Sequence, residues 1–528
     1  MSVKLHDFRK LRTLKNKGYL NFKSYLIMQG RLRYLGLLIL LYISFFKWLS
    51  WLPVVSNLAK SVQGLLLGFL VECEDSSFAG LPSEDLNLLS FFFDNQRSFS
   101  SNEILDYIIV GSGPGAAIAA QICGSKSTVL VIEQGGVPRT PPSRHHTLEH
   151  VKNDFYKGGQ EIALSSWFPQ FAQASVLGGG SEVNSGLYHD LPEHMVDELL
   201  SATKLSKDKF LNSQNEVRKL LQISSMDVKA IDSPIARGAQ ALGYEFQNIP
   251  RWRTYKKNSG FIQHGMIDIV WNRLIQQSNF RIVLNTQVNN IDNRSVNHIK
   301  VYCTNSAGES VEFTSKNLII AAGAIQTPRL LASSGLIPWG MTNFQWHPMV
   351  RTIIKTSHTD LGLHDVDPFQ AWTADRKFKF GSAVSTPGLL AMNLGRKPEA
   401  DELPKLRSIY GSFVSNGRGG LIPHTSFPYF FPSANDRKNL EEVRTLLIKL
   451  INSSGATFAN PMQSVKKGVS TVHIFGTLPI NSGVYLDGTS RLKGDPRIQV
   501  SDGSLLPFGP GVNPQGVIMS LCNAVVTR

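Results

Sequence analysis

The stretch that decides the fold of this 528-residue chain is Leu105-Asp-Tyr-Ile-Ile-Val-Gly-Ser-Gly-Pro-Gly-Ala116. Residues 107–110 are apolar without alternation, which predicts a parallel strand covered on both faces. Gly111 permits a tight turn out of that strand, and the alanines after Pro114 favour a helix directly behind it. The stretch therefore predicts a strand, a glycine turn and a helix in an α/β fold.

The same turn has the features of a dinucleotide-binding site. Gly113 lets the backbone approach a pyrophosphate, and the N-terminus of the following helix can direct its amides and its dipole at phosphate. Ala116 replaces the third glycine that often packs helix against strand. A second apolar strand over 128–132 ends at Glu133, close to the roughly 20-residue spacing expected for a carboxylate that binds ribose hydroxyls. This order of elements predicts that the chain binds a dinucleotide.

Three more stretches resemble the signatures of one enzyme family. They are Leu177-Gly-Gly-Gly-Ser-Glu-Val-Asn-Ser-Gly-Leu-Tyr188, Ala321-Ala-Gly-Ala-Ile-Gln-Thr-Pro-Arg-Leu-Leu331, and a C-terminal pair, His473-Ile-Phe-Gly-Thr477 with Asp502-Gly-Ser504 through Gly511-Val-Asn-Pro514. Together with the first stretch they resemble the glucose–methanol–choline (GMC) flavoenzymes over residues 105–528. The Gly-Val-Asn-Pro ending is most similar to cholesterol oxidases and long-chain alcohol oxidases.

The resemblance implies FAD as the cofactor and a fold of two domains. These are a FAD-binding Rossmann-like domain of non-contiguous segments and a substrate domain that contains an antiparallel sheet. The residues implied to contact FAD are Gly111, Ser112, Gly113, Pro114, Gly115, Ala116, Glu133, Gly179, Gly180, Ser181, Asn184, Val288, Ala322, Gly323, Asp502, Gly503 and Pro514. By its place after a strand, Asp502 is expected to reach the ribityl chain or pyrophosphate.

The family's reaction is oxidation of an alcohol by hydride transfer to the flavin. The resemblance implies His473 as the base, since imidazole titrates near working pH, and Asn513 as the residue that orients the substrate oxygen. We interpret His347-Pro348 as structural, and we expect a helix to begin at Thr327 with Pro328 in its first turn.

Two alternatives to alcohol oxidation remain open. The same scaffold hosts flavin-binding lyases and a decarboxylase that oxidise no alcohol, and the chain could also be a degenerate member with a structural role. The electron acceptor, oxygen or another compound, also stays open. The four cysteines are scattered and show no metal-binding spacing, so we expect neither a metal site nor disulfides.

Composition and patterning divide the chain into eight segments. They are a basic arm (1–33), a hydrophobic membrane-associated segment (34–72), a connector (73–104), a first FAD-binding segment (105–190), a cap or substrate segment (191–260), a second FAD-binding segment (261–339), a substrate-binding domain (340–470), and a third FAD-binding segment that holds the catalytic residues (471–528).

The net charge of +14 indicates a membrane surface more than a nucleic acid. Residues 1–33 hold nine Lys or Arg and one acid, Asp7, giving 9 − 1 = +8. An apolar run over 34–46, bordered by Tyr and Trp, follows directly. A basic arm beside such a run is typical of membrane attachment. Whether the run spans the bilayer or lies at its interface stays open, as does the side of the membrane, and a helix packed on the catalytic domain is the alternative.

Overall fold

The computed structural model describes residues 65–72 and 103–526. Within this range it leaves out 125, 141–144, 160, 168, 253, 257–259, 263–264, 341–342, 358–365, 423, 426, 461–467 and 481–483. The basic arm and the apolar run over 34–46, with the membrane prediction that rests on them, lie outside the described residues.

The strands form two main sheets and several small pairs. In chain order they are β1 Ile104–Val110, β2 Val129–Ile132, β3 Glu161–Ile162, β4 Gln170–Phe171, β5 Glu245–Asn248, β6 Thr254–Lys256, β7 Gly260–Ile262, β8 Phe280–Val283, β9 Thr286–Asp292, β10 Ile299–Asn305, β11 Ser310–Ile320, β12 Gln345–Trp346, β13 Met349–Lys355, β14 Phe369–Trp372, β15 Phe378–Ala383, β16 Leu406–Phe413, β17 Arg418–Leu421, β18 Pro428–Phe431, β19 Thr457–Phe458, β20 Ile474–Phe475, β21 Arg491–Leu492 and β22 Asp495–Val500.

The helices cover both sheets. In chain order they are α1 Pro114–Gly124, α2 Leu148–Asp154, α3 Gly180–Val183, α4 Glu193–Thr203, α5 Lys207–Leu221, α6 Pro234–Leu242, α7 Asn272–Leu274, α8 Gly323–Ser333, α9 Pro387–Leu394, α10 Ala434–Ser453 and α11 Gln515–Val525. A π-helical turn, Ile267–Trp271, leads into α7.

The larger sheet is the dinucleotide-binding sheet that the glycine turn predicts. Its order is β21-β22-β11-β1-β2-β8, and β1 runs parallel to both β2 and β11. Ile108 and Ile109 are fully buried, which confirms a strand covered on both faces. The chain enters this sheet three separate times, through β1–β2, β8–β11 and β21–β22. The predicted α/β fold class, with a Rossmann-like domain of non-contiguous segments, is confirmed.

The second sheet is antiparallel, as expected for the substrate domain. Its order is β19-β13-β16-β15-β14-β5. One face carries a buried apolar cluster that includes Val350, Phe380 and Phe413, and it packs against α6 and α10. Helix α10 begins with a capping box in which Ser433 and Asp436 exchange hydrogen bonds, so it starts earlier than the apolar spacing of residues 440–451 suggests.

The end of the hydrophobic N-terminal segment packs against helices α2 and α9. Residues 65–72 are helical, and Leu65, Leu66 and Phe69 are buried. A Cβ built on Gly68 would lie 2.5 Å from Leu148 and 2.7 Å from the Gly388 carbonyl oxygen, so the helix approaches α2 and α9 closely. Among the residues that the structure describes, no helix has both the length and the apolar character that a membrane span requires.

The position of the helix near Thr327 differs from the prediction. Helix α8 begins at Gly323, and Pro328 lies inside it. Proline cannot donate to the carbonyl four residues earlier, which is that of Ala324. The Thr477 hydroxyl donates to this carbonyl oxygen instead. The hydrogen bond that the proline removes is thus replaced by one from the C-terminal region of the chain, and the helix continues through the proline.

The glycine turn and the end of β22 approach each other at backbone distance. A Cβ built on Gly115 would lie 1.9 Å from the Ser501 carbonyl oxygen. The Ser501 hydroxyl donates to the Gly115 carbonyl oxygen at 2.9 Å, across 386 residues of chain. Glycine at position 115 is therefore required by the packing of the two ends of the domain.

Replacing Gly115 with alanine is expected to destabilise the protein, because both clashing groups are backbone and no side-chain rotation relieves the overlap. Overpacking of this kind costs about 1–3 kcal/mol, occasionally more. Thermal unfolding should show a lower midpoint for Gly115→Ala than for the wild type. Gly494→Ala is the matched control, since nothing lies within 4 Å of a Cβ built there. Equal midpoints for the two variants would contradict this packing.

Candidate active site

One cavity of about 820 Å³ brings the separated signature stretches together. It is lined by both predicted catalytic residues and by fifteen of the seventeen predicted cofactor residues, namely His473, Asn513, Gly111, Ser112, Gly113, Pro114, Gly115, Glu133, Gly179, Gly180, Asn184, Val288, Ala322, Gly323, Asp502, Gly503 and Pro514. Ala116 and Ser181 do not line it. Ala116 is fully buried in α1, and the buried Ser181 hydroxyl donates to the Gly178 carbonyl and the Glu182 carboxylate.

The cavity presents bare backbone where a dinucleotide needs close approach. Gly111, Gly179 and Gly323 have φ values of +97°, +58° and +89°, which favour glycine. Nothing lies within 4 Å of a Cβ built on Gly113 or Gly323, so a side chain there would project into open space. The N-terminus of α1 lies at the same turn, as phosphate binding requires.

Glu133 holds the glycine turn with most of its hydrogen-bonding capacity. One carboxylate oxygen accepts from the Ser112 N–H at 3.0 Å and from the Ser112 hydroxyl at 2.6 Å, and the other accepts from the Gly135 N–H at 2.8 Å. Burial raises the pKa of Glu133, and these hydrogen bonds oppose the shift. The Gln134 backbone N–H also bonds to this carboxylate, so its hydrogen bonds to the turn occupy about all four of its acceptor sites.

Asp502 joins β22 to α8 rather than extending freely into the cavity. One carboxylate oxygen accepts from the Gly323 N–H at 2.9 Å and from the Thr327 hydroxyl. The other accepts from the Ser504 N–H at 2.9 Å and from the Ser504 hydroxyl at 2.6 Å. These four bonds use its acceptor sites. Asp502 also lines the cavity, and its contact with the ribityl chain or pyrophosphate stays a prediction.

The Asn184 side chain connects the second signature to the C-terminal helix. Its Nδ2 donates to the Gln515 side chain at 2.7 Å, and its Oδ1 accepts from the Gly186 N–H at 2.9 Å. Gln515 is the first residue of α11, so the loop that holds Asn184 and this helix are fixed relative to each other.

His473 lies against a second histidine. The Nδ1 atoms of His473 and His347 are 3.3 Å apart, and the two rings are nearly perpendicular. The contact follows from the pairing of β12 with β20, which brings residues 347 and 473 side by side. His347 therefore belongs to the site, and our interpretation of His347-Pro348 as structural is incomplete.

Asn513 is held by a buried lysine that the sequence did not suggest. Lys379 Nζ donates to Asn513 Oδ1 at 2.7 Å. The cap residue of α11 is Pro514, so the Asn513 side chain does not serve as an ordinary helix cap. Because Oδ1 accepts from the lysine, the Asn513 amide N–H groups remain as donors.

The surroundings of His473 keep its imidazole neutral. Burial, and then the basic groups of His347, Lys379, His189 and Arg351, hold the pKa of His473 well below its usual range. Burial lowers the pKa of His347 to about 3 and that of Lys379 to about 7. At neutral pH both imidazoles are uncharged, and the lysine is the group that titrates.

Sequence reasoning missed Lys379 and Arg351 because their local pattern indicates an ordinary surface. In Phe378-Lys-Phe380 the aromatic residues belong to the core and the lysine belongs to the opposite face. That face meets the cavity instead of solvent. The position of this face depends on the packing of the two domains. The spacing of residues along the chain does not predict it.

The fold and the cleft fit a dinucleotide-binding protein, and comparison with known proteins shows which family it resembles. Residues 151–349 match the family model described as GMC oxidoreductase. The uncharacterized GMC-type oxidoreductase y4nJ of Sinorhizobium fredii is 24% identical over 475 residues, which cover 79% of this chain and 92% of that protein. Residues 151–349 therefore match a GMC oxidoreductase domain, and the relative that matches most of the chain is a GMC-type oxidoreductase by name.

Two relatives from Arabidopsis thaliana match shorter stretches. The long-chain-alcohol oxidase FAO4A is 28% identical over 265 residues, which cover 46% of this chain and 36% of that protein. An (R)-mandelonitrile lyase-like protein is 36% identical over 103 residues, which cover 18% of each chain.

Solved structures agree on the fold. Pyridoxine 4-oxidase from Mesorbium loti has a TM-score of 0.59 at 15% identity and covers 79% of this chain and 97% of its own. A formate oxidase has a TM-score of 0.62 at 14% identity and covers 81% and 98%. GMC oxidoreductases bind FAD, and the bare glycine backbone at the start of α1 fits its pyrophosphate.

Replacing Asp502 with asparagine is expected to destabilise the protein and lower its FAD content. The amide puts a donor where the carboxylate accepts, and leaving a buried N–H unpaired costs about 1–3 kcal/mol. Thermal unfolding and the ratio of flavin to protein test this. Asp401→Asn, at an exposed position, is the control. Wild-type stability and flavin content in Asp502→Asn would show that the carboxylate does not organise the site.

Proposed function

We propose that this protein oxidises the CH–OH group of an alcohol to a carbonyl. The hydroxyl proton leaves to His473, and the C–H hydrogen would leave with its two electrons to the acceptor that bound FAD supplies. The observation that carries the proposal is that His473 and Asn513, from separate stretches, line one cavity. The same cavity is lined by the glycine cradle, which is the bare backbone of Gly111, Gly113, Gly179 and Gly323. When bound, FAD supplies the two-electron acceptor for the hydride.

His473 acts as the base in this proposal because it is neutral and has an acceptor beside it. If its Nδ1–H donates to His347 Nδ1, its Nε2 carries a free lone pair for the substrate proton. His347, with its pKa near 3, is neutral and can accept that hydrogen bond. In that tautomer His473 can accept the substrate proton at Nε2.

Asn513 and Lys379 bind and polarise the substrate oxygen. Lys379 fixes the Asn513 amide by holding its Oδ1, which leaves the N–H groups to donate to the hydroxyl. As the hydroxyl proton leaves, negative charge grows on the oxygen. A nearby ammonium and a fixed amide donor stabilise that charge.

The names of the relatives support an alcohol more than another donor. FAO4A is a long-chain-alcohol oxidase by name, although the match covers 36% of that protein. The mandelonitrile lyase-like relative supports a second candidate function. In that function the protein is a lyase that binds FAD without oxidising an alcohol. Membrane attachment through the basic arm (1–33) and the hydrophobic segment (34–72) stays a prediction from the sequence alone, as does the membrane-associated location.

Anaerobic addition of a substrate alcohol should bleach the absorbance of the oxidised flavin, since hydride transfer reduces it. The panel includes long-chain, sterol and sugar alcohols. We expect His473→Gln to slow bleaching by about 10²–10⁴-fold, the usual contribution of a general base. His194→Gln, on the exposed side of α4, is the control. Bound flavin that no alcohol reduces would favour the lyase, and absence of flavin would favour a structural role.

The rate of flavin reduction is expected to fall as pH rises through about 7, because Lys379 loses its charge there. No acid limb is expected near pH 6.5, because the depressed pKa of His473 keeps it neutral until the pH is well below that value. Lys379→Met should lower the rate about 10²-fold and abolish the alkaline fall, whereas Lys379→Arg should move the fall to higher pH. An unchanged profile in both variants would remove Lys379 from the mechanism.

A further inference from the structure

The substrate-domain sheet has two faces of different chemistry. Across β13, β16 and β15, Arg351 lies opposite Tyr410, and Tyr410 lies opposite Gly381. Residues opposite each other in antiparallel strands project to the same side. The alternate positions, such as Val350 and Phe380, form the buried core. The side of Arg351 and Tyr410 therefore faces the cavity, which both residues line.

The Arg351 guanidinium has no acidic partner among the described residues. Its one hydrogen-bonding contact is from a terminal nitrogen to the Met349 sulfur at 3.8 Å, and thioether sulfur is a weak acceptor. Its Nε is buried and has no partner. A half-buried cation without an acidic partner is unfavourable unless a ligand supplies the anion.

Tyr410 adds a neutral donor beside that cation. Its hydroxyl lies above Gly381, where an added Cβ would be 2.8 Å from it. Burial raises the pKa of Tyr410, so the phenol keeps its proton at any physiological pH. Guanidinium and phenol together offer donors and one positive charge on a single wall of the cavity.

Basic side chains surround His473. The groups that lower its pKa are His347, Lys379, His189 and Arg351, and none of them is an acid. Arg351 is thus within electrostatic reach of the proposed base. Within the described portion of the chain, this region gathers basic groups without compensating carboxylates.

From this geometry we infer that Arg351, with Tyr410, binds a carboxylate carried by the alcohol substrate. A carboxylate matches the paired donors of a guanidinium, which a hydroxyl group cannot. The inference rests on the proposed function, since it names the substrate of that site as a hydroxy acid. The FAD pyrophosphate is the other anion in the cavity, but the start of α1 and the glycine turn, on the opposite domain, provide for it.

The test compares matched pairs of substrates on the FAD-loaded protein. Each pair is an ω-hydroxy acid and the neutral primary alcohol of equal length, for example 6-hydroxyhexanoate and 1-hexanol, with longer pairs beside them. We expect the wild type to prefer the acid in the rate of anaerobic flavin reduction. In Arg351→Met the ratio of acid to neutral rates should fall about 30-fold or more, the usual cost of leaving a buried charge unpaired.

Binding of hexanoate, which has no hydroxyl to oxidise, gives a readout that does not depend on turnover. Calorimetry should show that Arg351→Met weakens hexanoate binding about 30-fold and that Arg351→Lys weakens it less, because lysine keeps the charge but not the paired donors. Arg418→Met, at an exposed position outside the cavity, is the matched control. If Arg351→Met does not fold, Arg351→Lys and Tyr410→Phe carry the test.

The outcomes separate this inference from the proposed function. In one outcome alcohols reduce the flavin, hydroxy acids react no faster than neutral alcohols, and hexanoate affinity is the same in Arg351→Met as in the wild type. That outcome overturns the carboxylate site and leaves alcohol oxidation standing. If hexanoate binding depends on Arg351 but no alcohol reduces the flavin, the site stands and alcohol oxidation fails. Selective loss of flavin from Arg351→Met would assign the arginine to the cofactor and overturn the inference.

Discussion

The rest of the structure depends on the close approach of Gly115 to the Ser501 carbonyl. At that point the glycine turn after β1 and the end of β22 come within backbone contact. Asp502 follows directly and accepts hydrogen bonds from Gly323 and Thr327, so the start of α8 is fixed from the same place. Any side chain at position 115 would separate these elements, and the glycine cradle would open with them.

Burial and the nearby basic groups have two effects on the site, one on His473 and one on the substrate. Burial, with the surrounding basic groups, keeps His473 uncharged and ready to accept a proton. The same basic groups favour negative charge on whatever lies beside the histidine. An unpaired protein carboxylate beside His473 would favour its protonated form, which cannot accept a proton, whereas Lys379 and Arg351 leave it neutral. The arrangement is suited to a reaction in which a proton leaves and negative charge grows.

The sequence was sufficient where local pattern determines structure and insufficient where the two domains meet. The run before Gly111 is apolar without alternation, and its strand, turn and helix could be predicted from it. The start of α8 could not, because Pro328 suggests a first turn unless its lost hydrogen bond is replaced from elsewhere. That replacement comes from Thr477, 153 residues away. The neighbours of His473 and Asn513 could not be predicted either, because strand pairing and sheet faces bring them into place.

The threefold entry of the chain into its nucleotide sheet has a consequence for synthesis. Strand β22 and helix α11 follow the other strands of this sheet in the chain, so a nascent polypeptide lacks one wall of the cofactor cleft until residues 495–525 have been made. During that time β11 lacks its parallel neighbour β22, and an incomplete sheet of this kind invites aggregation. The complete cleft therefore exists only after α11 has been made, and bound flavin would then stabilise the folded chain.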